Sequence, residues 1–291
     1  MASGPPQAMS LTQNRIHLDP DGVTIRLIQA GGGAGSREPV VFLHGVGARA
    51  DRWSNNLLAC ADTGRWAVAI DFPGHGYSTK GRSPDLSVPG FADYVRRVCE
   101  VLGARRVHLV GTSLGGHVGA AIAAAEPEFV LTLTLVGPIG ITPESTSVRD
   151  GLARAISDVT RSGITGKLHR LMYDDSLVTP GWIDDEWAIN NSDGAADSFA
   201  VLADYFDGNY NDDAIGSALR SAAPQLPCLL VWGADDELVP VTQADAVLRL
   251  LPDGARLHII SDAGHAPYLE CPAHFNRALL DFLSTPRLQH R

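Results

Sequence analysis

Short apolar runs alternate with helix-like segments along most of this chain, and that alternation limits its fold more than any other feature. Val40–Leu43, Trp66–Ile70, Val107–Val110 and Val130–Val136 read as strands. Among them, Phe91–Leu102 and the Ala-rich Leu114–Ala125 carry apolar residues at helical spacing. The rhythm resumes with a strand over Cys228–Trp232, a helix over Ala244–Leu251, a strand over Arg256–Ile260 and a last helix over Ala273–Leu283. Repeated strand–helix–strand units predict the α/β class, a mainly parallel sheet with helices on both faces. Right-handed crossovers then gather the strand C-termini, and the loops after them, along one edge.

Two regions depart from the rhythm. Residues 1–14 are rich in Pro, Gly, Ser and Gln and read as a disordered leader. Apolar runs at Ile16–Leu18 and Val23–Ile28 flank Asp19-Pro-Asp-Gly22 and predict a hairpin. Residues 143–215 have few strand-like runs and read as a helical cap inserted between core segments 15–142 and 216–291. Its Trp182, Trp187 and Tyr205 are candidates for lining a substrate pocket. Its acidic run (Asp174, Asp175, Asp184, Asp185, Glu186) reads as a solvated helix face.

Composition narrows the partners. A formal net charge of −10 without a basic cluster argues against nucleic acid and anionic membranes. No apolar run approaches the roughly 18 residues of a membrane span, and the N-terminal stretch lacks the basic and apolar regions of a secretory signal. A cytoplasmic enzyme acting on a small molecule is the expectation. The four cysteines are far apart and the ten histidines show no metal-type spacing, so neither a metal nor another cofactor is expected.

The chemistry centres on Gly111-Thr-Ser113-Leu-Gly115, a G-x-S-x-G pattern placed after one strand and before one helix. A nucleophile exposed on such a sharp turn needs small neighbours two residues away on each side. A serine hydroxyl also needs a base. His265, in the small-residue loop Ser261-Asp-Ala-Gly-His265 after a strand, suits that task. His44 also follows a strand, but the adjacent Gly45 and its early location suit a different task; His75, His117 and His258 read as structural or surface groups. The base needs a carboxylate to orient it, and Asp236 or its neighbour Asp235, past the strand Cys228–Trp232, supplies one. Backbone N–H groups of Leu114 and Val46, the latter in the loop His44-Gly-Val-Gly47, are the expected oxyanion donors.

The motifs FLHGVG (42–47), DFPGHGYS (71–78), VGTSLGG (110–116), VWGADDELVP (231–240) and DAGHAPYLECPAHFN (262–276) resemble those of the α/β-hydrolase superfamily over nearly the whole chain. The resemblance implies an eight-stranded sheet with a helical cap, and a triad of Ser113, Asp236 and His265. It puts the acid on Asp236 rather than Asp235, because the family's acid stands four residues before the Pro of that loop. It assigns Asp71 and His75 to a motif that shapes a loop.

Within the superfamily the chain looks most like hydrolases of carbon–carbon bonds in meta-cleavage products, and like related esterases and cofactor-free perhydrolases. The cap segment 173–187 is similar to that of the carbon–carbon hydrolases. Val46-Gly-Ala-Arg49, Thr112, Glu186 and Ala266 depart from their pattern, Glu186 standing at or near their cap arginine. The expected function is hydrolysis of a carboxylic ester or lactone through an acyl-enzyme. The alternatives are carbon–carbon bond hydrolysis of a vinylogous diketone acid, or a ligand-binding receptor that has lost turnover.

Overall fold

The computed structural model describes residues 10–32 and 37–284. Eight strands form one sheet: β1 (Thr12–Leu18), β2 (Val23–Ala30), β3 (Val40–Leu43), β4 (Ala67–Ile70), β5 (Val107–Thr112), β6 (Val130–Val136), β7 (Cys228–Gly233) and β8 (Arg256–Ile260). Their order is β1-β2-β4-β3-β5-β6-β7-β8. β2 runs antiparallel to β1 and β4, and the other neighbours are parallel. This is the mainly parallel eight-stranded α/β-hydrolase sheet.

Strand periodicity builds two cores. Val41, Leu43, Val68, Ile70 and Leu109 point to one face, and Val40, Phe42, Ala67, Ala69 and Val110 to the other. The first face is covered by α2 (Val88–Val101) and α3 (Leu114–Ala125), through Phe91, Val95, Val118 and Ile122. The second is covered by α1 (Ser54–Asp62) and α11 (Pro272–Ser284), through Leu57, Ala61, Phe275 and Leu279. Every residue of β3 to β7 is buried, so β3 and β4 read as unbroken apolar runs, while β5 and β6 bury His108, Thr132 and Thr134 among their apolar residues.

The hairpin is longer than its apolar residues suggest. Thr12, Gln13 and Asn14 are exposed yet pair with Gln29, Ile28 and Leu27. The ordered chain therefore begins before residue 14, where the leader was expected to end; residues 1–9 lie outside the described residues. A polar edge strand takes its order from backbone pairing and leaves no hydrophobic signature.

Between β6 and β7 come α4 (Thr146–Ser157), α5 (Arg161–Leu171), α6 (Pro180–Asn190), α7 (Ala195–Asp207) and α8 (Gly216–Ala222). α9 (Ala244–Leu250) and α10 (Pro267–Glu270) follow β7 and β8. Ser145, Thr160 and Thr179 cap α4, α5 and α6, each hydroxyl accepting the N–H three residues on. α4 lies against α7, and α5 against α6. Among the described residues, no helix is long and apolar enough to cross a membrane.

Candidate active site

Ser113 joins β5 to α3 with φ 51° and ψ −118°, a strained conformation for a residue with a side chain. The turn is possible only because its flanks are bare. A Cβ on Gly111 would lie 2.2 Å from the Gly115 carbonyl oxygen, and one on Gly115 2.3 Å from the Leu43 oxygen. The Ser113 N–H donates to Val136 O at 3.0 Å, tying the elbow to the end of β6. Leu114 begins α3, so its N–H belongs to the first turn, where amides have no partner within the helix.

His265 stands in the loop after β8, and its backbone N–H donates to Leu171 O at the end of α5. Its Nδ1 lies 2.7 Å from Asp236 Oδ2, and both side chains are buried. Asp236 Oδ1 also accepts the N–H groups of Leu238 (2.9 Å) and Val239 (2.8 Å), which fixes the carboxylate's plane. The carboxylate only accepts, so Nδ1 carries the hydrogen and Nε2 is left with its lone pair. Asp235 is exposed, so the choice between the two aspartates falls on Asp236 by geometry. Gly137, just after β6 with φ 45°, lies so close that a Cβ there would sit 3.1 Å from Asp236 Oδ2 and 3.2 Å from His265 Nδ1. The adjacent ends of β5, β6 and β7 thus bring the elbow and the His–Asp pair to one edge.

The loop after β3 closes the other side. A Cβ on Gly45 would be 3.1 Å from Ser113 Cβ. His44 fixes this loop: one ring nitrogen lies 2.8 Å from Gly45 O, and the other accepts the Phe72 N–H at 3.0 Å. Burial, with the nearby His75 next, holds His44 well below the usual imidazole range, so it is a neutral brace. Asp71 is also structural, accepting the N–H groups of Ala50 (2.6 Å) and Tyr77 (2.8 Å). His75 is buried among Phe72, Phe91 and Phe199, and desolvation lowers it to about 4.

Three supports were not singled out from sequence. Glu270 Oε1 accepts the Gly264 N–H (2.8 Å) and Oε2 the Tyr173 N–H (2.6 Å), bracing the His265 loop against the cap. Arg49 and Arg52 both reach Glu186 in α6. Their signal was the pair of arginines just after the glycine loop, but nothing local announced their partner.

The expected pocket residues divide. Trp182 is half-buried beneath the Arg52 guanidinium, 5.5 Å from its ring centroid. Trp187 is 43% exposed. Tyr205 donates to Asp213 Oδ2 at 2.6 Å and meets Phe206 and Tyr210 edge-on, serving cohesion of the α7 region. The acidic run divides as well: Asp174, Asp175, Asp184 and Asp185 are exposed as expected, whereas Glu186 is 2% exposed. Its two arginines explain the difference.

Residues 40–278 match the signature of the alpha/beta hydrolase family. The chain belongs to this family. It is 32% identical over 263 residues to the dihydrolipoyllysine-residue acetyltransferase component of the acetoin cleaving system from Cupriavidus necator, covering 90% of this chain and 67% of that protein. It is 31% identical over 288 residues to the 2-hydroxy-6-oxononadienedioate/2-hydroxy-6-oxononatrienedioate hydrolase of Burkholderia vietnamiensis, covering 94% and 96%. The solved 2-hydroxy-6-oxo-6-phenylhexa-2,4-dienoate hydrolase from Rhodococcus sp. strain RHA1 shares the fold, with TM-score 0.79, 22% identity and coverage of 95% and 100%. This alpha/beta hydrolase is therefore an enzyme of hydrolysis that resembles the meta-cleavage product hydrolases. Among its described residues, no group of three or more His, Cys, Asp or Glu side chains could hold a metal ion.

Proposed function

We propose that this hydrolase cleaves a carboxylic ester or lactone of a small organic molecule through an acyl-enzyme on Ser113. The observation that carries the reading is the buried 2.7 Å His265–Asp236 pair at the same sheet edge as a serine on a strained elbow. His265 Nε2 takes the Ser113 proton as Oγ attacks the ester carbonyl. The negative charge forming on the carbonyl oxygen is met by the N–H groups of Leu114 and Val46. The same proton passes from His265 to the leaving alcohol. Water, deprotonated by His265, then releases the acid and restores the serine. The buried carboxylate of Asp236 stabilises the imidazolium each time.

A second reading, hydrolysis of a carbon–carbon bond in a vinylogous diketone acid, draws on the nearly full-length relative from Burkholderia vietnamiensis. One local feature favours it. The Lys167 ammonium would lie 3.3 Å from a Cβ on Gly47, which puts a cation beside the oxyanion loop, where a substrate carboxylate would be welcome. A reducing, cytoplasmic setting fits both readings, since all four cysteines are free thiols and three are buried.

Steady-state and burst kinetics on p-nitrophenyl acetate and butyrate, for wild type beside Ser113→Ala, test the proposal. Turnover lost in the variant supports acyl transfer on Ser113. A folded wild type that leaves both esters intact overturns the ester reading and moves weight to the carbon–carbon substrate.

A further inference from the structure

The loop from His44 to Arg49 carries the proposed Val46 donor, and the core holds it at both ends. His44 binds the Gly45 carbonyl at 2.8 Å, and Asp71 accepts the Ala50 N–H at 2.6 Å. Between these anchors the loop is gripped from the cap. Arg49 Nη1 and Arg52 Nη2 each donate to one oxygen of the Glu186 carboxylate at 2.6 Å. The three side chains are only 14%, 11% and 3% exposed, so salt and water screen them weakly. One helical turn further along α6, Asn190 Nδ2 donates to Gly47 O at 3.4 Å. A single helix face therefore holds the loop on both sides of Ala48.

We propose that Glu186, with Asn190 beside it, is a positioning residue through which cap helix α6 fixes the oxyanion loop. The inference rests on the serine-hydrolase reading above. Two guanidiniums share the Glu186 carboxylate, Arg49 Nε also lying 3.3 Å from Asp51 Oδ2, so the clamp is an ion cluster as well as a tether. Without the carboxylate, Arg52 loses its ion-pair partner and Arg49 keeps only Asp51, so two largely covered cations are left to repel each other at the root of the loop. The Val46 amide would then lose its aim while Ser113, His265 and Asp236 keep theirs. A cap that moved away from the core would release the loop in the same way, so oxyanion stabilisation depends on the cap being in place.

The test compares a ground-state measure with a transition-state measure. A trifluoromethyl ketone analogue of p-nitrophenyl butyrate forms a tetrahedral adduct whose oxyanion needs both donors, whereas KM for the ester does not. Glu186→Gln is expected to weaken inhibition by the ketone about tenfold or more and to lower kcat in step, with KM within about threefold of wild type. Asn190→Ala, which leaves the ion cluster intact, should shift the same ratio in the same direction by less, and it serves if Glu186→Gln does not fold. Glu186→Asp should recover part of the loss. Ketone inhibition and KM that change together, or not at all, in folded variants overturn the inference while Ser113-dependent labelling by a fluorophosphonate preserves the hydrolase reading. A wild type that shows no such labelling overturns both.

Discussion

The elbow at Ser113 and the cap helix α6 lie on two sides of the same loop, yet they are built on different logic. At the elbow the requirement is steric and falls on the elbow's own glycines. Backbone atoms of residues 111–115 and of Leu43 come within 2.3 Å of where side-chain carbons would be, so two positions must be glycine whatever the rest of the chain does. In α6 the decisive partner is remote. Glu186 meets arginines 137 and 134 residues earlier in the chain, and its neighbours Asp184 and Asp185 are ordinary exposed acids. A site made by backbone sterics is written in its own five residues, whereas a site made by pairing is written in two places that only the fold connects.

The largest effect should follow from removing the proposed nucleophile at the elbow. Ser113→Ala should lower kcat on p-nitrophenyl butyrate by roughly 10⁴-fold to 10⁶-fold while leaving the urea midpoint within experimental scatter. Residual turnover above a few per cent of wild type would show that the strained turn serves another chemistry. Next comes the acid. Asp236→Asn should cost about 10⁴ in kcat, because the amide can no longer hold His265 with its Nδ1 hydrogen. Asp235→Asn, at an exposed carboxylate, should leave kcat nearly unchanged. The reverse order of effects would refute the assignment drawn from the 2.7 Å contact.

A smaller change probes the join between the two regions. Glu270→Ala frees the amides of Gly264 and Tyr173, one in the histidine loop and one in the cap. We expect kcat to fall about tenfold, as for a catalytic group held less firmly, with the loss largest for slow, poorly activated esters. A uniform rise in KM at constant kcat would assign Glu270 to binding instead.

How far the sequence could be read follows the same division. Val40–Leu43 and Val107–Val110 were legible because buried parallel strands are mostly apolar, and Ser113 and Asp236 because each follows such a strand; His265 follows β8, which is largely exposed but still carries Leu257, Ile259 and Ile260. Family resemblance, rather than local chemistry, separated Asp236 from Asp235; the structure gives the physical reason in the amides of Leu238 and Val239. Thr12–Asn14 were missed because an exposed edge strand has no apolar alternation. Glu186 was misread because charge runs are usually solvated, and the rule fails when remote cations neutralise one member. Tyr205 resembled a pocket aromatic, but its hydroxyl is taken by Asp213.

The last and smallest effect concerns His75, which belongs to a legible core motif and packs between Phe72 and Phe91 in the core and Phe199 in α7, the helix after α6. Desolvation is the main cause of its lowered pKa, near 4; the Pro73 carbonyl and Glu186 oppose the shift, and Lys80 and Lys167 reinforce it. Between the unfolded value near 6.5 and the folded value near 4, the unfolded chain binds a proton that the folded chain refuses. Stability must therefore fall as pH drops through that window, by up to about 3 kcal/mol from this residue. The buried, neutral His44 acts with the same sign. His75→Phe gives up the Pro73 hydrogen bond but suits the aromatic surroundings, so its urea midpoint should vary less steeply between pH 6.5 and 4 than that of wild type. Parallel curves for the two proteins would mean that His75 takes up its proton without unfolding, through local opening where α7 meets the core. The cap would then be a separable layer at low pH, and the contrast between a rigid elbow and a paired cap would extend to their stability.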